Sequence, residues 1–327
     1  MSRKDKRVLV TGGAGYIGSI VTRALLDKGY TVRVLDCLMY GGHSLLGVWS
    51  NTRFEFHFGD IRDSEKVKAN LDGVDAVVHL AAIVGDLACK RNEQLAIQTN
   101  LEASIQLIEE CQRAGVSRFI FASTCSNYGR MNNDLEYVDE TSALRPISLY
   151  AETKVEVENR VLELSKKQSF PAIVLRFATA YGVSPRMRLD LTVNEFTVEM
   201  LCKKQLIVYG EHFYRPYVHV QDIARAVCSA LTAPLEVVQG QVFNVGSTNQ
   251  NYQKQQLVKL IRPYAPDATV QYVHKEEDPR DYRVSFEKIH SALDFQIQYT
   301  VQDGIKELVK MVRGHIIRDF SDPQLRN

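Results

Sequence analysis

The chain has 327 residues, 45% hydrophobic and 24% charged, and its 40 Lys+Arg against 39 Asp+Glu leave a net charge of +1. That composition suits one large or two fused globular units with a substantial core, and it provides no global field to attract nucleic acid or an acidic membrane. No run reaches the roughly 18 apolar residues of a membrane span, and the glycine-broken "VLVTGGAGYIG" is no secretion-signal core, so a cytoplasmic protein is expected.

In chain order, "RVLVTG" predicts a short buried strand and "YIGSIVTRALLDKG" a helix with a glycine stop. "TVRVLD" and "RFEFHFGD" predict the next strands, followed by a helix over 64–71. "DAVVHLAA" predicts a fourth strand and a long helix over 93–114. "RFIFAST" predicts a fifth strand, a helix follows over 151–166, and "PAIVLRFA" predicts a sixth. Strands that are nearly all apolar, alternating with helices, describe a doubly wound α/β fold: a parallel sheet covered on both faces. After Tyr181 the pattern loosens into arginines, aromatics and short helices. "GQVFNVGS" (241–246) reads as one more buried strand able to rejoin the first sheet. The expected organisation is a dinucleotide-binding domain over 1–180 and a smaller, interleaved C-terminal lobe over 181–327, with "IRDFSDPQLRN" as a mobile tail.

Six cysteines (Cys37, Cys89, Cys111, Cys125, Cys202 and Cys228) show no C-x-x-C spacing, and the eight histidines form no close pair, so neither disulfides nor a metal is expected.

"TGGAGYIG" places Gly12, Gly15 and Gly18 between a strand and a helix, with Tyr16 and Ile17 at the helix start. Glycines there let the backbone turn tightly and approach a pyrophosphate at the positive helix N-terminus. Asp36, ending the second strand, suits a ribose 2′-hydroxyl and would repel a 2′-phosphate, which favours NAD over NADP. Asp60, after the third strand, is placed either to meet adenine or to cap a turn. Tyr150 and Lys154, four apart, share one helix face. A phenol of pKa ~10 is a poor base until a nearby cation favours its anion.

Taken together, "TGGAGYIG", Asp36, "GDI" with Ile61, "HLAA" with Leu80, Ala81 and Ala82, Asn100, "STCSNYG", "YAETK" and "VHVQDIA" resemble the extended short-chain dehydrogenase/reductases, the group of nucleotide-sugar epimerases and dehydratases. The resemblance implies a Rossmann-type fold, NAD held through the catalytic cycle and a nucleoside-diphosphate sugar in the C-terminal lobe. It also implies a homodimer formed through the two long helices. By resemblance, Thr124 orients the sugar hydroxyl, Tyr150 takes its proton, and Lys154 holds the nicotinamide ribose and lowers the tyrosine pKa. Arg215 resembles the arginine that clamps the substrate diphosphate, with Arg280 and Arg283 as further candidates.

The chain departs from that group in places. Where the 4,6-dehydratases carry Asp and Glu after the catalytic threonine, it has Cys125 and Ser126. Cys125 is either a proton shuttle or a small filler beside the sugar. Thr179 stands where the group has a substrate-binding asparagine. Asp86, Arg186, Arg188 and Asn194 lie in loops expected to face the sugar. "RPISLYAETK" and "DGIKEL" are similar to a branch containing GDP-heptose 4-dehydrogenases. The expected activity is oxidation at sugar C4 completed as a 4-epimerisation. The alternatives are a net 4-dehydrogenation, a Cys125-assisted elimination, or a non-catalytic NAD-binding regulator.

Overall fold

The computed structural model describes residues 6–130, 137–274 and 281–327. The first six strands are β1 (Arg7–Thr11), β2 (Thr31–Asp36), β3 (Phe54–Phe58), β4 (Ala76–His79), β5 (Arg118–Thr124) and β6 (Ala172–Phe177). The C-terminal half adds β7 (Thr179–Tyr181), β8 (Gln205–Tyr209), β9 (Tyr214–His219), β10 (Gln241–Val245), β11 (Asn251–Gln253) and β12 (Thr269–Val273). One seven-stranded sheet runs in the order β10-β6-β5-β4-β1-β2-β3, every pair parallel. The order reverses between β1 and β4, the crevice in which doubly wound sheets bind ligands. As expected from its sequence, 241–245 rejoins the sheet, pairing Gln241 with Ile173 and Val245 with Phe177.

The central strands are apolar on both sides because both faces are covered; all six residues of β6 are buried. One face packs on α2 (Ser64–Leu71) and, after α3 (Asp86–Arg91) and α4 (Glu93–Ile97), on α5 (Ala103–Arg113) and α6 (Leu149–Gln168). The other packs on α1 (Tyr16–Asp27) and, beyond α7 (Thr192–Val198), on α8 (Val220–Thr232), together with Tyr282, Val284, Phe286 and Ile289. Residues after 181 thus supply both a strand and part of the cover of the first sheet. A separate core of Tyr181, Leu189, Val193, Tyr217, Leu257 and Ile305 organises the smaller lobe around the sheets β11-β9-β7 and β12-β8.

Two local expectations are corrected. The helix expected over 93–114 is interrupted by a π turn at Gln98–Glu102. That turn carries Asn100, wholly buried, whose amide accepts from the Ile83 N–H (2.7 Å) and donates to the Ile83 carbonyl (2.9 Å). The extra residue in the turn brings a polar side chain to the inner face of an otherwise regular helix. The expected mobile tail is instead docked. Ile317, Phe320 and Leu325 pack on the core of the smaller lobe, and the Leu325 carbonyl accepts from the Leu189 N–H at 2.7 Å. Three apolar side chains spaced along a polar segment give it that anchorage.

Candidate active site

The carboxyl ends of β1, β2, β4 and β5 open into a cleft. At its floor Gly12 has φ +74°, and a Cβ there would lie 2.7 Å from the Ala81 nitrogen. A Cβ on Gly18 would fall 2.0 Å from the Gly12 carbonyl oxygen, so α1 approaches the β1 turn as closely as it does only because that residue is glycine. No side chain caps α1 and its first turn carries no acid, which leaves its positive end facing the cleft. Gly15, Tyr16, Ile17, Leu80, Ala81 and Ala82 line the same wall. Tyr16 also ties the lobes together, its hydroxyl donating to the Gly182 carbonyl at 2.7 Å.

Asp36 lines the cleft and accepts from the Ala14 N–H (2.9 Å) and the Leu38 N–H (2.8 Å); burial raises its pKa against the effect of those bonds. Asp60 and Ile61 lie farther along the same wall. The Asp60 carboxylate is held by Arg62 at 2.7–3.1 Å, which keeps its pKa low. This wall fits an adenine dinucleotide: a glycine turn that a Cβ would fill, a helix N-terminus, and a carboxylate at the end of β2.

Tyr150 and Lys154 occupy the opposite wall, in the first turns of α6, which Ser148 caps by accepting from the Ala151 N–H. Lys154 is 2% exposed and donates to the Ala122 carbonyl at 2.9 Å. Burial, only partly offset by the Cys89 thiol, lowers its pKa to about 8. Burial pushes the Tyr150 phenol upward while the charge of Arg188 pulls it down. Thr124 ends β5 next to Ala122 and Ser123 of the cleft lining without being in that lining itself; its Oγ1 accepts from the Ser126 N–H at 3.1 Å, which leaves its hydroxyl proton to donate.

Cys125 faces elsewhere. It is 1% exposed, its thiol donates to the Arg176 carbonyl at 3.3 Å, and burial raises its pKa. Ser126 points toward Tyr282, whose hydroxyl lies 3.5 Å from its Oγ. The Tyr282 ring lies 5.4 Å from the Arg215 guanidinium, and that of Tyr214 5.1 Å from Arg283. Ser126, Tyr282, Arg215 and Arg283 therefore form a cluster beyond β5, outside the cleft lining. Arg280 lies outside the described residues.

The remaining candidates divide. Arg186 and Arg188 line the cleft, Arg188 paired with Asp190 (2.5 and 3.2 Å). Asn194 is buried as a brace, accepting from the Gly182 N–H (2.9 Å) and donating to the Arg188 carbonyl (2.9 Å). Asn100 braces Ile83, and neither it nor Asp86 nor Thr179 is in the cleft lining; Asp86 starts α3 and Thr179 pairs with Tyr217. Sequence reasoning passed over Tyr40, Ser123 and Asn327, all of which line the cleft. Of these, Tyr40, four residues after Asp36, and Ser123, which opens "STCSNYG", carried a local signal. It also passed over the adjacent Glu211 and His212 and the distant His274, which bring one ligand-type atom each within 4.8 Å of one another away from the cleft.

The sheet order and the cleft define a dinucleotide-binding α/β enzyme with a Tyr–Lys pair opposite the glycine turn. Residues 8–246 match the model of the NAD dependent epimerase/dehydratase family, and the chain belongs to that family, within the extended short-chain dehydrogenase/reductases. Among its relatives, a dTDP-glucose 4,6-dehydratase of Streptomyces niveus is 29% identical over 320 residues, covering 94% of this chain and 93% of the relative. Two solved structures are each 28% identical. One is a dTDP-glucose 4,6-dehydratase of Streptomyces venezuelae with NAD and TYD bound, with a TM-score of 0.86 over 97% of this chain and 99% of that one. The other is a UDP-glucose 4-epimerase of Thermotoga maritima with UDP-glucose, with a TM-score of 0.85 over 95% and 100%.

Proposed function

We propose that the chain is a nucleoside-diphosphate-sugar 4-epimerase. The observation that carries this reading is the turn after β5: Thr124 can donate a hydrogen bond, while the next side chain, Cys125, is a buried thiol bonded to the β6 backbone. Oxidation at C4 needs a hydroxyl donor and a base, which Thr124 and Tyr150 supply. Elimination of water needs in addition an acid and a base beside the sugar, and a thiol facing β6 serves as neither. The nicotinamide of bound NAD supplies hydride chemistry. Lys154 favours the Tyr150 phenolate, and Tyr150 takes and later returns the proton of the C4 hydroxyl. Without an eliminating pair, the simplest completion turns the keto sugar over before reduction.

The same reading places Arg215 and Arg283 on the substrate diphosphate and makes the protein a homodimer through the outer faces of α5 and α6. It also places the protein in the cytoplasm, where free thiols such as its six cysteines persist. No described helix is long and apolar enough to cross a membrane.

The test is incubation with UDP-, GDP-, dTDP- and CDP-sugars, following absorbance at ~340 nm together with product mass and configuration. Inverted configuration at unchanged mass supports the epimerase. Loss of two hydrogens with accumulated NADH shows a 4-dehydrogenase instead, and loss of water shows a dehydratase.

A further inference from the structure

We propose that residues 323–327 form a clasp across the cleft and, through the Arg326 carbonyl, hold the Arg186 guanidinium ready for a bound diphosphate. The inference rests on the nucleotide-sugar reading above and adds to it a recognition element supplied by the far end of the chain.

Arg186 is 6% exposed and lines the cleft with its guanidinium stacked 4.0 Å from the Tyr40 ring centroid. Its Nη2 donates to the Arg326 carbonyl at 3.0 Å, while its Nε is buried without a hydrogen-bond partner among the described residues. Burial and the neighbouring charge of Arg188 both lower its pKa, so the site disfavours the cation as it stands. The neighbouring cleft arginines Arg186 and Arg188 differ in this respect. Arg188 is ion-paired with Asp190, whereas the contacts of Arg186 among the described residues are a neutral carbonyl and a ring, with Asp190 acting on it without an ion pair. A desolvated guanidinium with an unused N–H is costly until an anion arrives. The anion matching its planar fork in a dinucleotide and nucleotide-sugar cleft is a diphosphate.

The clasp is fastened on both sides of the cleft. On the smaller lobe, Leu325 accepts from the Leu189 N–H (2.7 Å) and Arg326 lies 3.6 Å from Glu195. On the sheet side, Asn327 Nδ2 donates to the Val84 carbonyl at 3.2 Å, in the loop after β4. Asn327 lines the cleft, and its Oδ1 is buried without a partner among the described residues, an acceptor available to a ligand hydroxyl.

The diphosphate belongs either to the dinucleotide or to the sugar nucleotide, and titration calorimetry separates the two. NAD⁺ is titrated into the free protein, and UDP or GDP into the NAD-loaded protein, for wild type, Arg186→Gln, a chain lacking 323–327, and the combination. Arg186→Gln is expected to weaken one of these ligands about tenfold or more. The deletion should weaken the same ligand, and the combined loss should fall short of the sum of the two single losses, because both act through Arg186. In wild type, saturating ligand should also slow hydrogen exchange at the Leu189 amide, a readout that does not depend on any variant folding. Unchanged affinities in the shortened chain, additive losses, or a Leu189 amide indifferent to ligand would each overturn the clasp while leaving the enzymatic reading intact. A wild-type protein that binds neither NAD⁺ nor a nucleoside diphosphate overturns both.

Discussion

Glu158, one turn beyond Lys154 on α6, holds Arg176 of β6 in an ion pair in which the two side chains are 1% and 4% exposed. The Glu158 carboxylate also accepts from Ser123 Oγ at 2.8 Å, and Arg176 donates to the Tyr128 hydroxyl at 2.8 Å, which in turn donates to Asn244 at 2.8 Å. This network fastens the β5 turn, and with it Thr124, to α6, β6 and β10. Removing one member leaves a buried charge unmatched. Glu158→Ala is therefore expected to cost about 3–5 kcal/mol of stability, measured by urea denaturation.

Tyr150→Phe removes the proposed proton acceptor and leaves the glycine turn and Asp36 untouched. Turnover of a sugar nucleotide is expected to fall by about 10²-fold or more while the affinity for NAD⁺ stays near wild type. Wild-type turnover in this variant would remove Tyr150 from the mechanism.

Lys154 gives a pH signature. Its folded-state pKa of about 8 is lower than its ordinary value of 10.5. Below pH 8 the group is protonated in both states and burial exacts its full cost. Between pH 8 and 10.5 the unfolded chain binds more protons, so this residue makes stability rise with pH. Comparing wild type with Lys154→Met at pH 7 and pH 10, the variant should be relatively more stable at pH 7, lose that advantage at pH 10, and be inactive throughout.

Cys125→Ala tests the fate of the thiol. A filler bonded to the β6 backbone predicts turnover within a few-fold of wild type and a stability loss of about 1–2 kcal/mol from the small cavity. Turnover lost in a variant that still folds and binds NAD⁺ would return the thiol to the chemistry.

Gly18→Ala places a methyl against the Gly12 carbonyl and forces α1 away from the turn. Affinity for NAD⁺ should drop by more than tenfold, read by calorimetry, because the helix N-terminus and the glycine turn no longer meet at one point.

The amino-acid sequence by itself determined the doubly wound parallel architecture, the glycine turn, Asp36 and the Tyr150–Lys154 pair. Each is written in a window of a few residues, where strand or helix period and backbone freedom decide the outcome. Even the return of 241–245 to the sheet was legible, since an all-apolar strand needs two covered faces. The tertiary structure alone decided that the Cys125 thiol turns into β6, that Asn100 and Asn194 brace loops, and that Arg326 and Asn327 meet Arg186 and Val84 at the cleft. These outcomes depend on partners up to 243 positions away, as in the Asn327–Val84 contact. Local periodicity says which side of an element a residue occupies; only packing says what waits there.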